Sequence, residues 1–231
     1  MRPTILLFDI DGTLVTTGGV GRRALEKTFE RVYSRADAFA GVHFDGMTDR
    51  AIIRAGLAAL PFGSQPDNET IDSLLKLYLC VLAEEVAAAD TARYRVHTGM
   101  REAVLSARVR GMAVGLGTGN VREGARLKLS RVGLYEQFGF GGFGCDHEDR
   151  AELLRIGAAR GAASLGRPLT SCRVVVIGDT PKDVAAAKGI GAECVGVGTG
   201  SFSPENLVAA GATWAFPTLA SPGALEALFS G

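Results

Sequence analysis

Short, unbroken apolar runs that end in small, polar or acidic residues constrain the fold of this chain more than any other feature. They lie at residues 4–10, 112–117, 173–177 and 194–197, with a last short one at 214–216. Such runs are typical of strands buried on both faces of a parallel sheet. Helical patterns separate them, at residues 101–110, 123–132, 150–165, 182–189 and 204–210. The sequence therefore predicts an α/β fold, with a parallel sheet core and helices on both faces.

One long segment interrupts this alternation directly after the first run. Residues 16–97 contain no convincing buried strand, and their amphipathic patterns predict helices at 22–33, 49–59 and 69–89. We therefore expect a discontinuous core domain of residues 1–15 and 98–231, with a helical cap domain of residues 16–97 inserted into it. The insert follows a strand end, so it would lie over the carboxyl edge of the sheet, where ligands bind in this architecture.

Composition and charge exclude several classes of function. Hydrophobic residues make up 47% of the chain, so a buried core can form and the chain is not disordered. The 25 Lys and Arg residues balance the 25 Asp and Glu residues, which argues against a general nucleic-acid binder. No apolar stretch approaches the ~20 residues of a membrane span, and the apolar start of the chain stops at Asp9, too early for a signal peptide. We expect a cytoplasmic protein that binds neither nucleic acid nor membrane.

The end of the first run carries the strongest chemical signal. Asp9 and Asp11 flank Ile10, so an extended chain places both carboxylates on the same side. Two carboxylates so close repel each other unless a cation lies between them or one is protonated. The pair therefore suggests a Mg²⁺ site, because Mg²⁺ is bound by carboxylates and water. The alternative is an acidic turn in which Gly12 ends the strand.

A second acidic strand end follows the run at 173–177. Asp179 would supply another carboxylate to the cation, and Asp183 would orient Asp179, a coordinated water or a lysine. The alternative is helix capping, with Asp179 or Thr180 as the cap and Pro181 in the first helical position. Both interpretations are compatible, because a helix that starts at a strand end is also an anion-binding position.

A phosphate-binding loop is predicted after the run at 112–117. Thr118, Gly119 and Asn120 offer a hydroxyl and backbone N–H groups at a helix start, which together hold a phosphate oxygen well. An ordinary strand-to-helix loop, capped by Thr118 or Asn120, is the alternative.

A phosphate beside carboxylates also needs a cation. Arg150 lies at a predicted helix start, where a positive charge is locally unfavourable unless it faces an anion. Lys128 and Lys182 are the substitutes. A solvated surface arginine is an equally good interpretation of Arg150, because most charged residues on helices are exposed.

Taken in order, these motifs resemble the haloacid dehalogenase-like hydrolase superfamily. The resemblance spans nearly the whole chain and is carried by Asp9-x-Asp11-Gly12-Thr13, by Thr118 and by Gly178-Asp179-x-x-x-Asp183. Residues 18–22 (Gly-Gly-Val-Gly-Arg) and 46–49 (Gly-Met-Thr-Asp) make the insert similar to the cap of the phosphoglycolate phosphatase-like branch. The resemblance implies a Rossmann-like core with a small α-helical cap domain.

The resemblance also implies a role for each motif. Asp9 would be the nucleophile that accepts the phosphoryl group, and Asp11 the general acid and then the general base. Mg²⁺ would be held by Asp9, the backbone carbonyl of Asp11 and Asp179. Thr118 and the N–H of Gly119 would bind phosphate oxygens.

The sequence departs from this branch at the cationic position. The branch usually carries a lysine, often followed by proline, before the fourth core strand, and this chain has no Lys-Pro pair. Arg150 is the positional stand-in, and its planar guanidinium can bind two phosphate oxygens. In the cap, Arg22, Thr48 and Asp49 are candidates to contact the leaving group.

The function implied by the resemblance is a Mg²⁺-dependent phosphatase. It would hydrolyse a small phosphorylated metabolite, phosphoglycolate-like or a sugar phosphate, through an aspartyl-phosphate intermediate. A sugar phosphomutase of the same fold would retain Asp9 and Asp11 and stays open, as does the choice between monomer and homodimer. A haloacid dehalogenase needs neither Asp11 nor a metal, and a non-catalytic phospholigand-binding regulator should have lost Asp9 or Asp11, so both rank lower.

Overall fold

The computed structural model describes residues 2–61 and 66–230. Within them the strands are β1 Thr4–Phe8, β2 Val15–Thr16, β3 Arg95–Val96, β4 Ala113–Thr118, β5 Phe140–Phe143, β6 Arg173–Gly178, β7 Glu193–Val197 and β8 Trp214–Phe216. The α-helices are α1 Val20–Tyr33, α2 Asp49–Ala58, α3 Asn68–Ala88, α4 Met100–Val109, α5 Arg122–Ser130, α6 Arg150–Ser164, α7 Pro181–Gly189, α8 Pro204–Ala210 and α9 Ala224–Phe229. None of the described helices is long and apolar enough to cross a membrane.

The core is a six-stranded sheet in the order β5-β4-β1-β6-β7-β8, and all its neighbouring strands are parallel. Side chains of β1 alternate between two buried clusters: Leu6 and Phe8 pack with α4, α5 and α9, while Ile5 and Leu7 pack with α6, α7 and α8. Both faces of the sheet are therefore covered by helices. This confirms the predicted α/β fold with a parallel sheet core.

The edge strand β5 is a feature that the sequence did not predict. Its sequence, Phe-Gly-Gly-Phe, contains two glycines. Glycine is depleted in strands, so the sequence pattern indicated a loop here. The structure explains them, because a Cβ on Gly142 would overlap the backbone carbonyl of Leu153 in α6. Close packing of α6 on the sheet thus requires glycine where a strand would otherwise carry a side chain.

Helices α1, α2 and α3 form the helical insert, which has its own buried cluster around Phe29, Ile53 and Tyr78. The chain enters and leaves the insert through β2 and β3, which pair antiparallel with Val15 opposite Val96. The predicted boundaries at 15/16 and 97/98 fall at this ladder. Residues 62–65 of the predicted cap lie outside the described residues, and the division into two domains stays a prediction.

Candidate active site

A cavity of about 400 Å³ lies between the helical insert and the carboxyl ends of β1, β4 and β6. In an open parallel sheet this is the expected position of a ligand, because the strand order reverses at β1: the chain continues to β4 and β5 on one side and then crosses to β6 on the other. The polar side chains on its wall include Asp9, Asp11, Asn120, Lys128, Arg150 and Asp179 from the core, and Arg22, His43, Asp49 and Tyr78 from residues 16–97.

Three buried carboxylates meet on the core side of this cavity. Asp9 follows β1, where its backbone N–H donates to the carbonyl of Ile177 on the neighbouring strand. Oxygens of Asp9, Asp179 and Asp183 lie within 4.8 Å of one another. The structure therefore brings together the two acidic strand ends, which are 170 residues apart in the chain at Asp9 and Asp179 (179 − 9).

Burial and mutual repulsion act on these carboxylates. Desolvation raises the pKa of Asp9 to about 6, against the attraction of Arg150, and the charges of Asp183 and Asp11 raise it further. Burial also raises the pKa of Asp179 well above its usual value, again with repulsion from Asp183 and Asp9. A cation between the two groups would offset this repulsion and favour both charged forms.

Asp183 is fully buried and has both of its carboxylate oxygens occupied. Its Oδ1 accepts from the Nε of Arg150 at 2.8 Å. Its Oδ2 accepts from the backbone N–H of Thr180 at 3.0 Å and from the Thr180 hydroxyl at 2.7 Å. Thr180 and Asp183 thereby form a capping box at the start of α7. Helix capping and support of the site are thus performed by the same carboxylate.

Arg150 is a buried residue rather than a solvated surface arginine, with only 9% of its area exposed. Its guanidinium lies 3.1 Å from Asp9 Oδ1 and also pairs with Asp183. Burial lowers the pKa of Arg150, but the two acids together outweigh it, so that the pKa is raised above its usual value. Arg150 therefore places a permanent positive charge beside Asp9, at the position that the sequence suggested.

Asp9 and Asp179 form a donor set that fits Mg²⁺, because the site offers hard carboxylate oxygens and excess negative charge. Asp179 Oδ1 accepts from the Thr13 hydroxyl at 2.7 Å. Asp179 Oδ2 lies against Gly12 and Gly200, where a Cβ on either residue would overlap it. The close packing against Asp179 therefore requires glycine at both positions.

The Asp11 side chain lies outside this acidic cluster. Asp11 Oδ2 accepts from Lys128 Nζ at 2.6 Å and from Asn120 Nδ2 at 2.8 Å. Lys128 also donates to Asn120 Oδ1 at 2.7 Å and is only 3% exposed. Lys128 was predicted only as a substitute for Arg150, but both residues line the cavity. Lys182, the other substitute, is exposed on α7. A role for the Asp11 backbone carbonyl in metal binding stays a prediction.

The loop after β4 is packed closely against the insert. Gly119 borders the cavity, and its carbonyl accepts from the backbone N–H of Asp49 at 2.9 Å. A Cβ on Gly119 would overlap the Met47 carbonyl, so this approach requires glycine. Thr118 is fully buried and its hydroxyl accepts from Asn120 Nδ2 at 2.9 Å. Gly119 and Asn120 border the cavity, whereas Thr118 lies behind them.

The predicted cap residues occupy different positions. Asp49 borders the cavity, and its Oδ2 accepts from the Val121 N–H of the core at 2.8 Å. Burial raises the pKa of Asp49 to about 6, against the attraction of Lys128. Thr48 lies behind the wall, because its hydroxyl caps α2 by accepting from the backbone N–H of Ala51. Asp49 therefore connects insert and core at the cavity wall.

Arg22 borders the cavity, but its guanidinium is already engaged within the insert. It donates to the carbonyls of Phe39 and Val42 and stacks 3.9 Å from the centroid of the Phe44 ring. Its side chain is 40% exposed and also lies 3.6 Å from Glu26. The structure thus gives Arg22 a role in holding the segment after α1.

Sequence comparison identifies the family. The chain matches the haloacid dehalogenase-like hydrolase family over residues 3–191. It belongs to this family. The predicted resemblance is thereby confirmed, whereas no sequence among the curated proteins matches the chain.

Solved structures share the fold at low sequence identity. CbbY from Rhodobacter sphaeroides in complex with phosphate has a TM-score of 0.73 and 20% identity, with 99% of each chain covered. A predicted phosphatase from Clostridium acetobutylicum has a TM-score of 0.66 and 18% identity, covering 93% of this chain and 94% of its own. The β-phosphoglucomutase from Clostridium difficile has a TM-score of 0.67 and 16% identity, covering 94% and 92%. These similarities show a common fold.

Two cavity residues of this hydrolase were missed or undervalued by sequence reasoning. Tyr78 lies in α3 among apolar residues, and nothing in its neighbourhood distinguishes it from a core tyrosine. Lys128 stands between Leu127 and Leu129 in α5, without any motif around it. Only the fold brings both side chains to the wall beside Asp11.

Proposed function

We propose that this protein is a Mg²⁺-dependent phosphatase that hydrolyses a small phosphorylated metabolite through an aspartyl-phosphate. The main support for this proposal is the position of Asp9 on the cavity wall. Its carboxylate lies 3.1 Å from Arg150 and belongs to the same acidic cluster as Asp179. A carboxylate that attacks a phosphate dianion needs such charge compensation. The volume of about 400 Å³ suits a metabolite rather than a macromolecule.

In the first step, a carboxylate oxygen of Asp9 attacks phosphorus, and the bond from phosphorus to the leaving oxygen breaks. Asp11 gives a proton to that oxygen, so the product leaves as a neutral alcohol. Arg150 offsets the charge of the transferred group beside Asp9. The phosphoryl group is then held as an acyl phosphate on Asp9.

In the second step, water attacks phosphorus and passes a proton to Asp11, and the bond from phosphorus to Asp9 breaks. Inorganic phosphate leaves, and both aspartates return to their starting forms. The contacts of Lys128 and Asn120 are both made to Asp11 Oδ2, which leaves Oδ1 for the proton transfers. The ordering of Asp11 therefore comes from the core rather than from the insert.

Mg²⁺ would be held by Asp9 and Asp179, whose pKa values are raised by burial and by the neighbouring acids more than Arg150 lowers them. When bound, it would neutralise phosphoryl oxygens and align them with Asp9. Asp183 would act by fixing Arg150, because both of its oxygens already accept hydrogen bonds.

Phosphate release tests this proposal. The panel comprises sugar phosphates, 2-phosphoglycolate, nucleotides and p-nitrophenyl phosphate, each with MgCl₂ or with EDTA. We expect release that EDTA abolishes, that added MgCl₂ restores and that Asp9→Asn eliminates. Asp37→Asn is the matched control, because Asp37 is an exposed residue paired with Arg35 outside the cavity. Release by Asp9→Asn or in EDTA would contradict the mechanism.

The same panel separates the alternatives. A sugar phosphomutase would return the phosphoryl group to a bound sugar phosphate, so an isomeric sugar phosphate would accumulate without inorganic phosphate. A phospholigand-binding regulator would bind members of the panel equally well before and after Asp9→Asn, without turnover.

A further inference from the structure

The insert presents the hydroxyl of a tyrosine to the cavity. Tyr78 of α3 is fully buried and borders the cavity, and its hydroxyl makes no hydrogen bond to any residue that the structure describes. Burial and the nearby charges of Asp49 and Asp11 raise its pKa well above the usual value, so the group stays neutral and able to donate. Because this hydroxyl borders the cavity and makes no hydrogen bond within the described chain, it is available to donate to a ligand atom.

A second donor lies beside Tyr78. A Cβ on Gly21 of α1 would lie 3.3 Å from Lys128 Nζ and 3.8 Å from the Tyr78 hydroxyl oxygen. Both groups thus face one point, which glycine leaves free of side-chain atoms. An ammonium has three N–H donors, and Lys128 uses two of them on Asp11 and Asn120. The remaining donor is available to an oxygen atom bound near Tyr78.

The charged residues of the cavity wall determine whether a neutral or an anionic substrate group is favoured beside Tyr78 and Lys128. Each Lys or Arg on the described wall already has a carboxylate within 4 Å: Arg22 has Glu26, Lys128 has Asp11, and Arg150 has Asp9 and Asp183. Asp49 adds a buried acid beside Tyr78. A second anionic group on the substrate would meet these acids, and no lysine or arginine of the described wall is left without a carboxylate partner to balance it.

We infer that Tyr78 and Lys128 form a subsite for a hydroxyl of a neutral, hydroxyl-rich leaving group. This inference rests on the proposed phosphatase function and narrows its substrate to phosphate monoesters of sugars or polyols, rather than bisphosphates or phosphorylated carboxylic acids. A hydroxyl both accepts and donates hydrogen bonds, so it satisfies Tyr78 and can also donate to Asp49. A carboxylate or a second phosphate can only accept and would be repelled there.

Two matched pairs of substrates test the charge argument. Fructose 6-phosphate and fructose 1,6-bisphosphate differ by one phosphate, and glycerol 3-phosphate and 3-phosphoglycerate differ by a carboxylate. We expect kcat/KM to be higher by about tenfold or more for the neutral member of each pair, the usual cost of an unpaired charge or polar group in a binding site. A preference for the charged member of either pair would overturn the inference.

Tyr78→Phe tests the subsite itself, because it removes the hydroxyl and retains the ring. We expect kcat/KM for the two neutral substrates to fall about tenfold, as for one lost hydrogen bond, with less than a twofold change for p-nitrophenyl phosphate, which has no hydroxyl. Tyr33→Phe, at a tyrosine of α1 outside the cavity, should change neither. An equal loss for all substrates, or no loss, would show that Tyr78 has only a structural role.

Binding to Asp9→Asn separates this inference from the phosphatase proposal. Isothermal titration calorimetry in MgCl₂ compares the same two pairs without turnover. If the wild type hydrolyses nothing, the phosphatase proposal fails, and the binding order still decides the inference. Tighter binding of the neutral members supports the subsite, and tighter binding of the charged members overturns it.

Discussion

The two sides of the cavity are built differently. On the core side, Asp9, Asp179, Asp183 and Arg150 are all buried and are held by groups from several elements. On the insert side, the Tyr78 hydroxyl has no partner within the described chain, and Arg22 is partly exposed. The core side is therefore fixed before a ligand binds, whereas the insert side keeps hydrogen-bonding capacity for the ligand. Under the proposed function the core would carry the reaction chemistry, and the insert would add Tyr78 to the contacts that choose the substrate.

The largest expected effect comes from Asp9→Asn on the core side. Activity should fall by at least about 10³-fold, because an amide does not attack phosphorus. Stability without metal should be equal or higher at pH 7.5. The pKa of Asp9 is raised to about 6, so its ionised form costs folding free energy above that pH.

Phosphate release and thermal unfolding in EDTA measure the two effects of Asp9→Asn. A lower melting temperature than that of the wild type at pH 7.5 would show that Asp9 stabilises the fold. The core side would then serve the stability of the fold as well as the chemistry.

Arg150→Met is expected to have the next largest effect. It leaves the buried acids Asp9 and Asp183 without their counter-charge, which typically costs about 3–5 kcal/mol. Arg150→Lys should recover part of this loss, since the charge returns without the planar hydrogen-bonding geometry. Urea unfolding at pH 7.5 measures all variants.

The control for Arg150→Met is Arg126→Met. Arg126 forms an exposed pair with Glu123 within α5, and breaking such a pair costs less than about 1 kcal/mol. Equal losses in Arg126→Met and Arg150→Met would mean that the buried network contributes no more than a surface pair.

Asp49→Asn should produce a smaller, pH-dependent effect at the junction of insert and core. Burial raises the pKa of Asp49 to about 6, above the value of ~3.9 in an unfolded chain. The resulting stability is complete below pH ~4 and is lost as the pH rises through 6. Asparagine keeps the acceptor for the Val121 N–H but cannot ionise. Relative to the wild type, Asp49→Asn should therefore gain about 2–3 kcal/mol between pH 4 and pH 7.5.

Denaturant unfolding at several pH values between 4 and 7.5 measures this gain for Asp49→Asn. Asp37→Asn, at an exposed position, should show no comparable gain. A constant difference between Asp49→Asn and the wild type across this range would mean that Asp49 is not held as a buried, raised-pKa acid.

The smallest expected effect concerns the ion pair between Arg54 of α2 and Glu148, which precedes α6. The charged groups lie 2.7 Å apart, but both side chains are about one-third exposed. Glu148→Gln should therefore cost less than about 1 kcal/mol of stability. Any change in KM should be under about threefold, because the pair joins insert to core without bordering the cavity.

The matched control for Glu148→Gln is Glu84→Gln, which breaks the exposed pair with Arg31 inside the insert. Thermal unfolding and steady-state kinetics compare the two variants. A KM effect in both would indicate a general change in the insert rather than in its contact with the core.

The core strands were predictable because burial on both faces leaves a continuous apolar run. The strand β1 shows this, with all five residues buried and its acidic end at the cavity. The strand β5 was not predicted, because Gly142 is required by its contact with Leu153. That contact exists only in the packed fold. The local hydrophobic pattern therefore indicates a strand where burial favours large apolar side chains. It does not do so where close backbone packing requires glycine.

Some residues of the candidate site could be predicted from the sequence, and others could not. Asp9 and Asp179 were predictable, because each follows a recognisable buried strand. Lys128 was not, because the reason for its burial is a contact with Asp11, which precedes it by 117 residues. Tyr78 was not predictable, because whether a tyrosine hydroxyl borders a cavity depends on how the helices pack and not on the neighbouring residues in the sequence.

The short ladder of β2 and β3 has a consequence for how such chains diversify. Since Val15 and Val96 are directly paired, the two ends of the insert leave the core side by side. A segment of a different length or fold could be joined at these points without moving a strand of the main sheet. Recombination at this ladder would exchange the insert's substrate contacts, Tyr78 among them, in one event, while Lys128 and the reacting carboxylates stay in place.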